Sequence, residues 1–164
     1  MKRGVTVAMA SVAVSFMAAT GIAGAGAGAP QAGAPCWGFE ANSALYDAQT
    51  LTPQNEVLIC VKTDQGSEWQ HLDGFQRPVE TWFTYGPAAT LSAGDILPAF
   101  SWVSSPVKLD SVCTAVQTPA DGGPPVTHTN NSGQYRDFQL IPNLDTLKLS
   151  GFCNWRKAWQ RAPG

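Results

Sequence analysis

The stretch that decides the fold is residues 56–62, EVLICVK. Every second residue from Val57 to Val61 is β-branched and falls on one face of an extended chain, with Leu58 and Cys60 on the other. Because both faces are apolar, the pattern predicts a strand at the centre of a sheet.

Further extended segments follow, separated by turn residues. They are residues 79–85 (VETWFTY), 99–105 (AFSWVSS), 107–116 (VKLDSVCTAV) and 146–150 (TLKLS). Within 107–116 the apolar phase shifts after Leu109, which predicts a β-bulge or a break between two strands. Residues 126–141 predict a hairpin around the four-residue turn NNSG.

Proline and glycine oppose long helices. The chain has 12 prolines and 16 glycines, mostly outside the extended segments, and only residues 42–51, NSALYDAQTL, have moderate helical character. We therefore predict an all-β fold, a single β-sandwich or small barrel of about seven to eight short strands, braced by two disulfides. The aromatic side chains expected in its core are Trp69, Trp82, Phe83, Phe100, Trp102 and Phe138.

The four cysteines predict two disulfides. Cys36, Cys60, Cys113 and Cys153 are too far apart in sequence for the close pairs typical of zinc sites, so we predict no metal and no cofactor. Four cysteines allow three connectivities, and we favour Cys36–Cys60 with Cys113–Cys153.

The N-terminus has the layout of a secretory signal peptide. Two basic residues precede an uncharged apolar run, and small residues then offer cleavage after Ala25 or Ala27. We predict a signal over 1–27, a disordered leader over 28–35 and a single secreted, extracellular β domain over 36–164, with no transmembrane span in the mature chain. The alternative is an uncleaved anchor, which the Ala and Gly content of the run disfavours.

The C-terminus holds the candidate binding residues. It reads SGFCNWRKAWQRAPG, and Trp155 and Trp159 alternate there with basic residues that include Arg156 and Arg161. As a strand or as a helix, the stretch either buries its tryptophans or presents an indole beside guanidinium groups. We expect Trp155, next to the Cys153 anchor, to be structural and Trp159 to be the contact residue.

No motif identifies a reaction. His71 and Asp73 lie close together in SEWQHLDGF, but Asp73-Gly74 is also a turn signal, and no nucleophile elbow is present. No catalytic residue is predicted, and enzymatic activity is left open but not favoured. Asn130-Asn131-Ser132 fits the N-glycosylation pattern and is read as an exposed turn.

These observations favour a non-catalytic binding module that contacts an extracellular ligand, namely a cell-envelope glycan, an anionic polymer or a protein. The formal net charge of −2 disfavours nucleic acid as a partner. One alternative is a small inhibitor or interaction protein that uses the loop QTPADGGPPVTH, residues 117–128. A small hydrolase is a further alternative, and the oligomeric state is not predicted.

Overall fold

The computed structural model describes residues 28–36, 45–96, 101–108 and 110–158. Within these residues the regular structure is β-strand, apart from one turn of 3-10 helix at Ala93–Asp95. The nine strands are β1 (Gln49–Leu51), β2 (Val57–Thr63), β3 (Gly66–Leu72), β4 (Thr81–Ser92), β5 (Ser101–Pro106), β6 (Cys113–Pro119), β7 (Val126–Asn130), β8 (Arg136–Gln139) and β9 (Leu144–Lys157).

The strands pair into one open sheet organised around β9. One side of β9 pairs with β4, and β4 leads through β1 and β2 to β3. The other side of β9 pairs with β6 along its N-terminal half and with β5 along its C-terminal half; β7 adjoins β6 and β8 adjoins β5. The all-β prediction and the two disulfides are confirmed. The pairing gives an open sheet of nine strands, whereas the sequence predicted a sandwich or small barrel of seven to eight.

β5 and β6 run in the same direction along β9, one after the other. Pro106, the last residue of β5, lies opposite Cys153, and Thr114 of β6 lies opposite Ser150. The intervening residues leave the sheet and return. The phase shift in this segment is therefore a break between two strands, which is one of the two outcomes predicted from the sequence.

β9 continues through this break because it has glycine there. Gly151 has φ +100°, and a Cβ at this position would lie 2.1 Å from the carbonyl oxygen of Val112. Only glycine combines this backbone conformation with such a close approach. The Cys113–Cys153 disulfide, with its Cα atoms 5.8 Å apart, crosslinks β6 to β9 beside it.

The hairpin predicted over residues 126–141 is wrong. β7 pairs with β6, with Val116 opposite Thr127, whereas β8 pairs with β5, with Trp102 opposite Phe138. The two strands therefore lie end to end along the sheet. The alternating pattern identified both strands correctly, but the turn signal between them marks a link along one sheet edge instead of a reversal.

Asn130 organises this link from inside the protein. Its side-chain nitrogen donates hydrogen bonds to the carbonyl oxygens of Ser104 and Gln134, and its Oδ1 accepts from the backbone and hydroxyl of Ser132. The residue is only 2% exposed. The glycosylation pattern read from the sequence as an exposed turn therefore begins with a buried, fully bonded asparagine.

Both faces of the sheet are covered at β4. The consecutive residues Trp82 and Phe83 are buried in two different apolar clusters, as expected from the alternation of side chains along a strand. The larger cluster also holds Trp102, Phe138 and Trp155. Five of the six aromatic residues predicted as core are buried, and Phe100 lies outside the described residues.

The N-terminal side of the domain is built around the Cys36–Cys60 disulfide, whose Cα atoms are 5.9 Å apart. Both bridges follow the pairing that the sequence favoured. The segment 28–35, predicted as a disordered leader, is tied to β3 at its C-terminal end, where the Trp69 amide donates to the Ala34 carbonyl over 2.9 Å.

Other predictions fall wholly or partly outside the described residues. The proposed signal over 1–27 is among them, as are the first three residues of the segment 42–51. From Leu45 onward that segment forms a turn and then β1, with no helix. No helix in the described ranges is long and apolar enough to span a membrane.

Candidate functional site

An open groove of about 620 Å³ lies where the residues before β1, the segment leading into β4 and the end of β9 come together. We call it the polar groove. The side chains that define its character are those of Tyr46, Asp47, Gln76, Glu80, Asn154 and Arg156.

The first wall of the polar groove is the turn that carries Tyr46 and Asp47. Asp47 has φ +61°, a left-handed conformation that aspartate tolerates better than most residues. Its amide donates to the carbonyl of Cys60 over 2.9 Å, and the Cys60 amide donates to Ala48 over the same distance. The turn is thus fixed to β2 beside the disulfide, while Tyr46 remains 45% exposed.

The second wall is the segment from Gln76 to Thr81. Gln49 joins the two walls: its side-chain nitrogen donates to the Gln76 carbonyl over 2.9 Å, and its Oε1 accepts from the Gln76 amide over 2.8 Å. Arg77 donates through Nε to the Asp95 carboxylate over 2.6 Å. These contacts hold the second wall in place.

The end of β9 contributes the third side of the groove. Lys157 forms a 2.8 Å ion pair with Glu80. Asn154 lines the groove, and its Oδ1 is buried without a hydrogen-bond partner among the described residues. Buried polar atoms are nearly always bonded to protein or water, so this oxygen is an acceptor left unmet next to the groove.

Arg156 is exposed and lies in the groove, and it is one of the four binding residues predicted in the tail. Its guanidinium carbon stands 5.2 Å from the centre of the Tyr135 ring. Tyr135 is itself 66% exposed, more than any other large apolar or aromatic side chain described. Arg156, which the sequence predicted as a binding residue, therefore lies beside an exposed aromatic ring, and that ring belongs to a tyrosine.

Trp155 lies on the opposite face from Arg156 and is 1% exposed. Its indole nitrogen donates to the Thr84 hydroxyl over 2.9 Å. The strand geometry considered for the tail holds as far as Lys157, and it places Trp155 in the core, as expected of the structural tryptophan of the pair. Trp155 cannot present its indole at the surface; Trp159 and Arg161 lie outside the described residues.

A second aromatic group lies on the same face of the sheet as Arg156. The ring of Phe152 packs edge-on against Phe83 at 5.4 Å, and the Lys108 ammonium stands 4.6 Å over it. Tyr85 borders this group, and burial raises the pKa of its hydroxyl above the ordinary value of 10.0. This face therefore combines aromatic rings and cations beyond the groove itself.

His71 and Asp73 form no site with a third group. Both are exposed, at the end of β3 and in the turn after it, and Glu68 accepts a hydrogen bond from Gln70 instead. In the described part of the chain, no set of three or more His, Cys, Asp or Glu side chains is arranged to hold a metal ion.

The polar groove offers both hydrogen-bond donors and acceptors. Its described lining includes no histidine, serine or cysteine. Amide, carboxylate, guanidinium and phenol groups converge instead, which suits recognition of a polar ligand. Comparisons of this chain with family models, curated proteins and solved structures find no match.

The sequence reading missed most of this lining. Tyr46 was assigned to a possible helix, Tyr135 to a hairpin strand, and Gln76 and Asn154 drew no attention. A signal for the tyrosines was available, because each stands beside turn-forming residues where a large ring has little chance of burial. Nothing local marks Gln76, which reaches the groove only through its pairing with Gln49.

Proposed function

We propose that this chain is an exported, non-catalytic binding module that holds a glycan in the polar groove. The observation that carries the proposal is the convergence in one open groove of the exposed Tyr46, the side chain of Asn154 and the guanidinium of Arg156. Sugar hydroxyls both donate and accept hydrogen bonds, so a mixed lining of this kind matches them better than a lining of one charge or an apolar one.

The aromatic neighbours of Arg156 support the same ligand class. Tyr46 and Tyr135 are both exposed, the Tyr135 ring lies beside the Arg156 guanidinium, and an aromatic ring gives a large contact area with few rotatable bonds to order. Trp159 and Arg161, which follow the groove in the sequence, extend this proposal as additional contact residues. An anionic glycan would gain further from the basic residues at this end of the chain.

The experiment is a binding assay with insoluble cell-envelope polysaccharide and a panel of soluble oligosaccharides. Arg156→Ala and Tyr46→Ala should each weaken binding about tenfold or more, the effect of losing a charged hydrogen bond or a buried ring contact. Both should unfold within about 0.5 kcal/mol of the parent, because they are exposed. The matched control is Lys148→Ala, an exposed basic residue at the other end of β9, which should bind normally.

The outcome separates the ligand classes named from the sequence. Binding that falls steeply with salt, and that charge reversal of Arg156 and Arg161 abolishes, identifies an anionic polymer. Groove variants that bind every tested glycan as the parent does would exclude the polar groove as the site.

Export is part of the proposal. The two disulfides require an oxidising compartment to form and persist, and the N-terminal sequence fits a signal over 1–27. Mass spectrometry of culture supernatant should find an N-terminus between Ala25 and Pro35 and a mass four hydrogens below that of the reduced chain. Full-length protein in a membrane fraction would instead indicate the uncleaved anchor.

A second candidate, an inhibitor of another secreted protein, is favoured by the loop over residues 117–128. Its tip is exposed yet braced: the Ala120 amide donates to the Asn143 carbonyl over 2.7 Å, and the Asn143 side chain donates to Asp121 over 2.8 Å. Such a preformed loop loses little entropy on binding. Capture of a secreted protein that Asp121→Ala abolishes, and Arg156→Ala does not, would favour this function over glycan binding.

A further inference from the structure

A second cavity, of about 270 Å³, lies at the outer edge of the sheet where β7 and β8 meet end to end. We call it the edge cavity. It shares no residue with the polar groove, and its lining includes Ser104, His128, Arg136, Phe138 and Trp155. At about 30 Å³ per water molecule the cavity has room for about nine water-sized groups, which is enough for a small ligand.

The hydrogen bonding around Gln117 fixes the proton on His128. Gln117 is fully buried; its Oε1 accepts from the Ile141 amide over 2.8 Å, and its Nε2 donates to the Gln139 carbonyl over 3.0 Å. Reversing the amide would place oxygen against oxygen and nitrogen against N–H, so this orientation is the only one that satisfies both partners.

The second hydrogen on Gln117 Nε2 then points at Nε2 of His128, 2.9 Å away. That ring nitrogen has to accept, so the neutral ring carries its proton on Nδ1. The ring also stacks on Phe138, with centroids 5.0 Å apart and planes 27° apart. His128 therefore offers the edge cavity a donor in a fixed orientation.

Arg136 supplies the charge. In the described part of the chain no carboxylate lies within ion-pair distance of its guanidinium, and the residue is exposed. Its neighbour Asp137 also borders the cavity, but consecutive strand residues point to opposite faces of a sheet. Arg136 therefore lies on the same face of β8 as Phe138, whereas Asp137 borders the cavity from the opposite face.

The buried polar groups at the cavity, Ser104 and Asn130, are already bonded within the protein, and the exposed hydroxyls of Thr127 and Thr129 also border it. The Ser104 hydroxyl donates to the Arg136 carbonyl and accepts from Asn130, whose side chain is saturated in turn. Arg136 and His128 therefore add donors to the cavity lining that no hydrogen bond or ion pair among the described residues uses. A site of this kind selects a ligand that accepts hydrogen bonds and carries negative charge.

We propose that the edge cavity binds the oxyanion group of a small ligand, a carboxylate or a phosphate. The guanidinium of Arg136 pairs with two of its oxygens, and Nδ1–H of His128 donates to an oxygen of the same group. The rings of Phe138 and His128 form the adjoining wall. The site is independent of the glycan proposal, since no residue of the polar groove takes part in it.

The test is an amide NMR titration of the full protein with acetate and with inorganic phosphate, at constant ionic strength. Acetamide, which has the shape of acetate without its charge, is the control. We expect saturable shifts at residues 127–129 and 136–138 with at least one anion and none with acetamide. The two anions distinguish carboxylate from phosphate as the preferred group.

Variants locate the site. Arg136→Gln should weaken anion binding about tenfold or more, the loss of a charged hydrogen-bonded pair. Arg136→Lys keeps the positive charge but loses the planar guanidinium, so its anion affinity should lie between that of Arg136→Gln and that of the parent. His128→Phe keeps the stacking on Phe138 but removes the donor, so it should also bind more weakly, and Lys148→Gln should bind as the parent does.

Three outcomes would overturn the proposal. They are shifts of equal size with acetamide, unchanged anion affinity in Arg136→Gln, and no saturable shift with either anion. The last outcome, no saturable shift with either anion, is measured on the parent protein alone, so that test does not depend on how well any variant folds.

Discussion

The hydrogen bond between Trp155 and Thr84 joins the two longest strands from inside the core, and its contribution can be isolated. The indole N–H of Trp155 donates to the Thr84 hydroxyl over 2.9 Å, and both residues are 1% exposed. Trp155→Phe removes the donor and keeps an aromatic ring. Thr84→Val removes the acceptor and keeps the shape of the side chain.

The expected magnitudes follow from burial. Trp155→Ala loses a fully buried ring and leaves a cavity, which costs about 3–5 kcal/mol of the free energy of unfolding. Thr84→Val leaves a buried N–H without its acceptor, which costs about 1–3 kcal/mol. The Thr84 hydroxyl also contacts the Cys153 carbonyl at 3.4 Å, so Trp155→Phe leaves it partly bonded, and we expect a loss of about 1–2 kcal/mol from the missing bond.

The assay is urea unfolding of the parent, the two single variants and Trp155→Phe/Thr84→Val. Because the double variant leaves neither partner unmet, it should be more stable than the sum of the single losses indicates, by about 1–2 kcal/mol. Trp159→Ala, measured beside Trp155→Ala, should unfold nearly as the parent does if Trp159 is a contact residue.

Two results would refute this reasoning. Single losses that add within about 0.3 kcal/mol would show that the hydrogen bond contributes nothing measurable. A loss below about 1 kcal/mol for Trp155→Ala would show that Trp155 is not packed in the core as described.

Further predictions concern a turn, a disulfide and a tyrosine. Asn130→Ala should lower the free energy of unfolding by about 2–3 kcal/mol, because it leaves several buried groups unmet, whereas the exposed Asn131→Ala should change it by less than about 0.5 kcal/mol in the same urea series; equal effects would contradict this account. Cys153→Ser should cost about 2–4 kcal/mol and leave one free thiol, which a non-reducing peptide map should place on Cys113 and not on another cysteine. Since burial raises the pKa of Tyr85 above 10.0, its contribution to stability is complete below pH 10.0 and is lost as the pH rises through the raised value. When the pH is raised above 10.0, the urea midpoint of the parent should therefore fall more than that of Tyr85→Phe. Equal decreases in the two proteins would contradict this prediction.

The sequence predicted the strands well where burial requires apolar side chains at regular positions along the strand. The alternation around Leu58 identified β2, and the phase shift after Leu109 identified the break before β6. These strand features depend on neighbours in sequence, so sequence is enough to find them. The disulfide pairing was favoured as one of three connectivities, and both bridges follow it.

Long-range pairing could not be predicted in this way. Gly151 was read as part of a boundary between a short strand and the tail, whereas it lets β9 run on for 14 residues. The turn after Asn130 was read as a reversal because turn residues do not reveal which strand pairs with which. The partners are set by β9, which pairs with three other strands.

Of the residues that line the polar groove, the sequence identified only a basic one as a binding residue. Arg156 was identified because basic residues cluster at the C-terminus. Tyr46 and Asn154 meet it through contacts between distant parts of the chain, and no local spacing relates them. The burial of Trp155 was open in the sequence because a closing element that buries the tryptophans and a surface that exposes an indole use the same residues.

The two disulfides have a consequence for the shape of the polar groove. Cys36–Cys60 lies wholly on the side of the first wall, and Cys113–Cys153 lies wholly on the side of β9, so neither crosslink crosses the opening. The walls are joined instead by noncovalent contacts, among them the two hydrogen bonds between Gln49 and Gln76. The polar groove can therefore widen or narrow without the breaking of a disulfide bond.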